Sequence, residues 1–420
     1  MPVAELVDAL DRIATAPGGE PVRDQVVTHH PLQTVDERAF TPGALGAPGP
    51  FSFDVAAFRG ARAGRDERVA PGVLVTEPLP IPDGGASVGG AAPAGNGGAV
   101  GTSTAERPVL DLDELVELLE HPAKWFVRRR LGVQLLRDED EVDERLPLSV
   151  GPLDSWAAGD RILTAVLAGA EPRQAFQAEW RRGQMPPRQL GNAALLEVME
   201  RIRPIHAMAT EAARMGSATG RDVLAEVGSV LVAGTVPGVH SDRVVRAEYS
   251  KLGAKHRLRA WVQLLALATT EPDRAWHTVT IGRGESNRYG EDSPTAAASR
   301  LRPPEDPAAA LADLVALHIE ASRMPLPIPP KIAERYATAR SKGAGPDSAL
   351  AQVRRGWRYD YQADDPFHLL CFGDGASLES VAGTPSEQDR ERYPEETTRL
   401  GALARRVWDP LLASEERITS

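Results

Sequence analysis

The stretch TVPGVHSDRVVRAEYSK, Thr235–Lys251, decides how the chain folds. It joins two β-branched runs, SVLVAGTV (229–236) and DRVVRAEYS (242–250), through a Pro-Gly turn signal. That pattern reads as a hairpin. The second run ends in Glu248 and Tyr249, with a lysine, Lys251, close behind. Two neighbouring strands that share carboxylates and a lysine are a frame for a divalent cation and an activated water. The first acid position of such a frame reads Pro237 here.

Helices are expected on both sides of the hairpin. VLDLDELVELLEHPAKWFVRRRLGV opens the main domain, with Leu112, Leu115, Leu118 and Leu119 on one face. Asp111 followed by Glu114 fits a capping box in its Asp form. Residues 171–183 read as a helix with Pro172 in its first turn and Gly183 past its end. A longer helix, 192–215, is expected to break or bend at Pro204. HRLRAWVQLLALA reads as a helix, AWHTVTIGR as a strand and 307–324 as a helix, with helices from there to the end. Helices beside a small mixed sheet give an α/β, or α+β, architecture.

Upstream, Leu6, Leu10 and Ile13 share a helical face within 3–14. An extended stretch follows around Pro31, then a short helix within 51–63. DGGASVGGAAPAGNGGAVGTST is rich in Gly and Ala and cannot bury enough apolar surface to order itself. The domain reading is therefore an N-terminal segment, 1–82, a disordered insert or linker, 83–106, and a main domain, 107–420. The acidic patch 138–144 is expected to be a solvated loop.

Composition excludes several classes. The net charge of −11 argues against a chain that coats duplex DNA by itself. One cysteine, Cys371, excludes a disulfide framework and a cysteine-built metal site. The N-terminus lacks the basic and apolar regions of a signal peptide. No apolar run reaches the about 18 residues that span a membrane. A reducing, cytoplasmic location is expected. Arg outnumbers Lys 43 to 5, which reads as codon bias and lowers the weight of any single arginine.

No Walker A string is present; GRGES and KGAGPDS lack the Gly-Lys-Ser/Thr ending that cradles phosphates. No G-x-S-x-G elbow is present either. His29 and His30 are adjacent in an extended segment, so they point apart and chelate poorly. His121 precedes Pro122 at a helix end and reads as a packing or capping residue. Lys124, Trp125, Arg128, Arg129 and Arg130, in KWFVRRR, are the candidate DNA contacts: cations for phosphates and an aromatic for a base. The bland reading is an amphipathic helix with its aromatics in the core and its arginines solvated.

Strings along nearly the whole chain resemble the C-terminal part of RecC, the gamma subunit of exodeoxyribonuclease V. They are HPLQTVDERAF, HPAKWFVRRRLGV, LPLSVGPLDSWAAGDRIL, WHTVTIGR, PLPIPPK, YDYQADDPFHLLCFG and LARRVWDPLL, in family order. The resemblance implies a final domain folded like a degenerate PD-(D/E)xK restriction-endonuclease-like domain. It also implies that Met1 begins a fragment, a split gene or a mis-called start.

In active relatives a cysteine stands where this chain has His121, which removes an iron–sulfur ligand. Their helical metal-binding histidine falls on Leu195, the strand aspartate on Pro237, and the Asp-Tyr-Lys triplet on Glu248, Tyr249 and Ser250. Glu can still bind metal, but Ser250 supplies no ammonium, and Lys251 faces the other side of a strand. One glutamate is too few protein oxygens for Mg²⁺. The resemblance thus implies an inactive nuclease fold with no catalytic and no metal residue, in a subunit that binds RecB and RecD, double-stranded DNA ends and single-stranded DNA. ATP and Mg²⁺ would be used by partner subunits, and this chain would bind no cofactor. Two alternatives stand beside it: an active divalent-metal exonuclease using Glu248, and a non-functional fragment left by gene decay.

Overall fold

Two units divide the chain in the computed structural model, Met1–Ala70 and Pro71–Ser420. The structure describes residues 27–46, 48–65, 72–81, 107–135, 150–214, 216–284, 295–357, 365–373 and 375–419, with a few positions in 5–12. The Gly/Ala-rich insert, the acidic patch 138–144 and most of 3–14 lie outside the described residues. Glu5, Leu6, Asp8 and Ala9 are helical.

In the first unit, side-chain caps start the two helical segments between residues 27 and 65. The Asp36 carboxylate accepts from Arg38 N at 3.0 Å and opens a 3-10 turn, Glu37–Ala39. Asp54 accepts from Ala56 N and Ala57 N at 2.8 and 3.0 Å and opens α1 (Val55–Ala63). Each cap satisfies amide donors that the first helical turn leaves unpaired. The His30 ring packs on Phe51 at 4.3 Å between centroids.

The second unit runs β1 (Val109–Asp111), α2 (Leu112–Glu120), α3 (Pro122–Trp125), a π-helical turn (Phe126–Arg130), α4 (Pro152–Leu167), α5 (Pro172–Arg181) and α6 (Gln189–Ala212). Next come β2 (Thr219–Val227), β3 (Val230–His240), β4 (Arg243–Lys251), α7 (Ala254–Thr270), β5 (His277–Arg283) and β6 (Ala296–Leu301). The C-terminal part is α8 (Pro307–Arg323), α9 (Pro330–Ser341), α10 (Pro346–Trp357), α11 (Pro366–Phe372), α12 (Leu378–Ala382), α13 (Glu387–Arg392), α14 (Arg399–Ala413) and β7 (Glu415–Thr419).

The strands form one seven-stranded mixed sheet in the order β1-β3-β4-β5-β6-β7, with β2 also on β3. β1 lies parallel to β3 and β4 parallel to β5; the other pairs are antiparallel. Helices cover both faces. Successive strand residues point to opposite faces, so Val244 enters one core while Val245, Ala247 and Tyr249 enter the other. The larger core joins α2, α7, α8, α9 and α14 to β2 and β3. The smaller joins α4 and α6 to Tyr249, Val279, Ile281 and Ala298. Leu264, Leu265, Ala266 and Leu267 of α7 are all fully buried, the mark of a helix enclosed on every side. Gly159 lets α4 approach β4: a Cβ there would lie 2.1 Å from the Tyr249 ring.

The expected α/β architecture, the Thr235–Lys251 hairpin and the four-leucine face of α2 are all present, but the hairpin turns at Ser241-Asp242, and Pro237-Gly238 lies inside β3. Three further local expectations are corrected, and one strand, β6, carried no expectation. Asp111 caps α2 by accepting from Asp113 N at 2.7 Å, but Glu114 does not complete a box. It turns inward to the buried His318, 3.1 Å away, because that imidazole has to be paired inside the core. Of the break or bend expected at Pro204, the break is absent: α6 is continuous through it. Residues 415–419 form β7 on β6 rather than more helix. Strand β6, AAASRL, carries almost no β-branched signal; it is strand because β5 and β7 flank it.

Candidate functional site

Strands β3 and β4 are paired only next to their turn, Val239 with Val244 and His240 with Arg243. Beyond that point they part, and β1 takes over the edge of β3 at residues 231–233. The cause is a bulge at Pro237-Gly238, where the β2–β3 register shifts. Proline has no N–H to give a ladder. Gly238 has φ +72, and a Cβ on it would meet Val245 O at 2.7 Å. Gly234 is needed as well, since its Cβ would lie 2.7 Å from Leu112 Cβ at the start of α2. Of the residues implied by resemblance, Pro237 lies on the bulge and Glu248 and Ser250 on β4 beyond the paired turn, where the two strands fork.

Pro237 is exposed on the bulge and offers no ligand atom. Leu195 is fully buried in the core around Tyr249. The Ser250 hydroxyl accepts a hydrogen bond from Trp156 Nε1 of α4 at 2.8 Å. Glu248 is half-buried, and what faces it is cationic: Arg246 Nη1 stands 3.8 Å from Glu248 Oε1. Arg259 of α7 joins the same electrostatic cluster and grips Glu120 through two hydrogen bonds of 2.8 and 2.9 Å. Two arginines and two glutamates, on β4, α7 and α2, therefore occupy the fork.

Titration in the fork follows from burial and these charges. Burial, and then Arg259, lower the pKa of the Arg246 guanidinium, against the pull of Glu248. Burial works against the Arg259 charge as well, but the hydrogen bonds to Glu120 together with the charges of Glu120 and Glu248 outweigh it and hold its pKa up. Burial keeps the His256 imidazole neutral to lower pH, although Glu248 and Glu120 oppose this. Burial and the Glu248 charge raise the Asp160 carboxyl. Asp160 and His256 thus feel Glu248 electrostatically. Even so, no three His, Cys, Asp or Glu side chains converge closely enough to hold a metal among the described residues.

The KWFVRRR strip is mostly used within the fold. Trp125 and Phe126 are 2% and 1% exposed, and Trp125 meets the edge of His318, which leaves no free indole face for a base. Arg129 binds Glu117 at 2.9 and 3.0 Å. Arg130 donates to Ser322 O and Pro80 O at 2.7 and 2.8 Å. Arg128 lies over the Phe367 ring, 5.2 Å from its centroid. Lys124 follows the cap His121, whose Nδ1 accepts from Lys124 N at 3.2 Å. His121 is thus the capping residue its position suggested, and its other nitrogen meets Asp365 Oδ2 at 3.1 Å. Burial raises the Cys371 thiol to about 12.

Sequence reasoning missed Arg246, Arg259, Glu120, Asp160 and Trp156. Arg246 was legible, since it stands two residues before Glu248 on one strand and so shares its face. Arg259, Glu120, Asp160 and Trp156 come from three helices that only tertiary packing brings to β4.

Comparison with known proteins gives the family. Residues 107–341 match the family model described as RecC C-terminal domain. The chain is 37% identical over 418 residues to the RecBCD enzyme subunit RecC of two Mycobacterium tuberculosis strains. It is 34% identical over 423 residues to that of Mycolicibacterium smegmatis. These matches cover 99–100% of this chain and 35% of each relative, so the chain spans about a third of the length of the curated relatives it matches.

Proposed function

The chain belongs to the RecC C-terminal domain family, and from that premise we propose that it is the non-catalytic C-terminal portion of the RecC subunit of a RecBCD-type helicase–nuclease. In this reading it is a degenerate PD-(D/E)xK domain. It binds RecB and RecD, and it helps guide DNA strands during processing of double-stranded ends in recombinational repair. RecB and RecD use the ATP and Mg²⁺.

One observation carries the non-catalytic assignment. Arg246 and Arg259 occupy the fork beside Glu248 and Glu120, where an active site would need a hard cation. A guanidinium neutralises these carboxylates without leaving a coordination position for water, so no nucleophile is generated. Leu195, Pro237 and Ser250 supply neither the missing ligands nor the missing ammonium. Within KWFVRRR, the proposal for DNA contact narrows to Lys124 and Arg128, since Trp125 is core and Arg129 and Arg130 are engaged.

The test is co-expression of the tagged chain with RecB and RecD from the same genome. Recovery of both partners, with ATP-dependent unwinding by the eluate, is the expected result. A folded, soluble chain that brings down neither partner would overturn the subunit assignment.

A further inference from the structure

The far end of the sheet, away from the fork, carries a cationic groove. Arg243 starts β4, Trp276 and His277 lead into β5, and β6 runs out at Leu301 into Arg302 and Pro303. Together with Asp242 and Arg300 these residues line a cavity of about 600 Å³. A second cavity of about 500 Å³ shares Arg300, Arg302 and Pro303 with it and extends toward Pro410 and Ala413. The two form one groove along the sheet end.

Its charges are unevenly satisfied. Arg300 Nη1 is 3.2 Å from Glu416. The Glu415 carboxylate on the same wall is turned inward to Arg257. Arg243 donates to the carbonyl of Ala212 at 2.9 Å, which leaves its positive charge uncancelled. Arg302 is exposed and has no ion-pair partner among the described residues. Asp242 is the remaining acid of the larger cavity. In a chain of net charge −11, such a local excess of guanidinium focuses an anion-attracting field. The His277 imidazole is pushed to lower pKa by burial and then by Arg243, in keeping with that field.

The walls decide between anions. Pro303 and Pro304 have no N–H, and the Trp276 ring, 1% exposed, forms floor rather than a stacking surface. Guanidinium forks are the main polar groups on offer, and a fork matches phosphate oxygens two at a time. An acidic peptide would also need partners for its own amides, and a proline wall gives none.

We propose that this groove binds the phosphodiester backbone of single-stranded DNA without reading its sequence, with Arg243, Arg300 and Arg302 as the phosphate contacts. The proposal rests on the strand-guiding reading above and gives it a surface on this chain. Binding of a fluorescent oligo-dT to the full chain, followed by anisotropy against salt, tests it. Arg302→Glu alone, an exposed change that spares the fold, is expected to weaken binding at least ten-fold. Arg243→Ala with Arg302→Ala is expected to do the same and to lower the salt slope by about 1.4, near 0.7 per lost contact. Arg355→Ala with Arg390→Ala, which removes the same charge elsewhere, is expected to leave binding within about two-fold. Equal loss in this control, or unchanged binding by Arg302→Glu, overturns the proposal. So does a groove-dependent affinity for poly-glutamate that exceeds the affinity for oligo-dT. Co-purification of Arg302→Glu with RecB and RecD separates the two claims: loss of oligo-dT binding with intact assembly supports the groove. Loss of partner recovery by the unaltered chain counts against the subunit reading alone.

Discussion

Replacing Arg257 with alanine should be among the most costly single changes in the second unit. The Arg257 side chain is 3% exposed on α7. It holds Glu415 of β7 through Nε at 2.6 Å and through Nη2, and it holds Glu334 of α9 through Nη1. Its guanidinium also lies 5.0 Å from the Trp408 ring centroid on α14. Glu415 is only 4% exposed, so water cannot replace the lost cation. Stranding one partner of a buried pair costs about 3–5 kcal/mol, and the lost cation–π contact adds roughly 1 kcal/mol. Domain stabilities are about 5–15 kcal/mol, so the variant should approach marginal stability. The assay is urea unfolding followed by fluorescence of the buried Trp261, Trp276 and Trp408. Arg257→Met with Glu415→Gln and Glu334→Gln removes all three charges and should recover most of the loss, because a buried ion cluster gains little over uncharged groups of similar size. A loss below about 1 kcal/mol for Arg257→Ala would refute the claim that this cluster locks β7 and the C-terminal helices to α7.

Three further outcomes are expected. Glu248→Ala in a reconstituted complex should leave nuclease activity unchanged, and a ten-fold loss, about 1.4 kcal/mol, would contradict the arginine-filled fork. Stability of the second unit should fall as pH drops from 6.5 to about 4. Burial lowers the His368 imidazole to about 4, so only the unfolded state takes up the proton in that window; the full effect is about 3 kcal/mol at 1.36 per pH unit. His368 is 5% exposed with an unpartnered Nε2, so His368→Phe should flatten that slope in urea titrations from pH 7 to 4. Charge reversal at Lys124 and Arg128 should weaken assembly or single-strand binding, read by co-purification and anisotropy; no change in either would make the strip a solvated face.

The sequence by itself determined the hairpin, the apolar stripe of α2, the extent of α5 from Pro172, and the fact that Leu195, Pro237 and Ser250 carry no carboxylate, imidazole or ammonium. These are local facts: side-chain periodicity and residue type need no partner to be read. Tertiary structure decided the rest. The tetrapeptide beginning at Asp111 reads as a capping box, yet His318, 204 residues on, claims Glu114. Strand β6 has the composition of a helix and is held by pairing with β7, which follows it by more than 110 residues. Strand spacing sets the Arg246–Glu248 pair, but it meets Arg259 and Glu120 because α2, α7 and β4 pack together. Two glutamates 128 positions apart become one electrostatic site only when burial removes the water that would otherwise screen them.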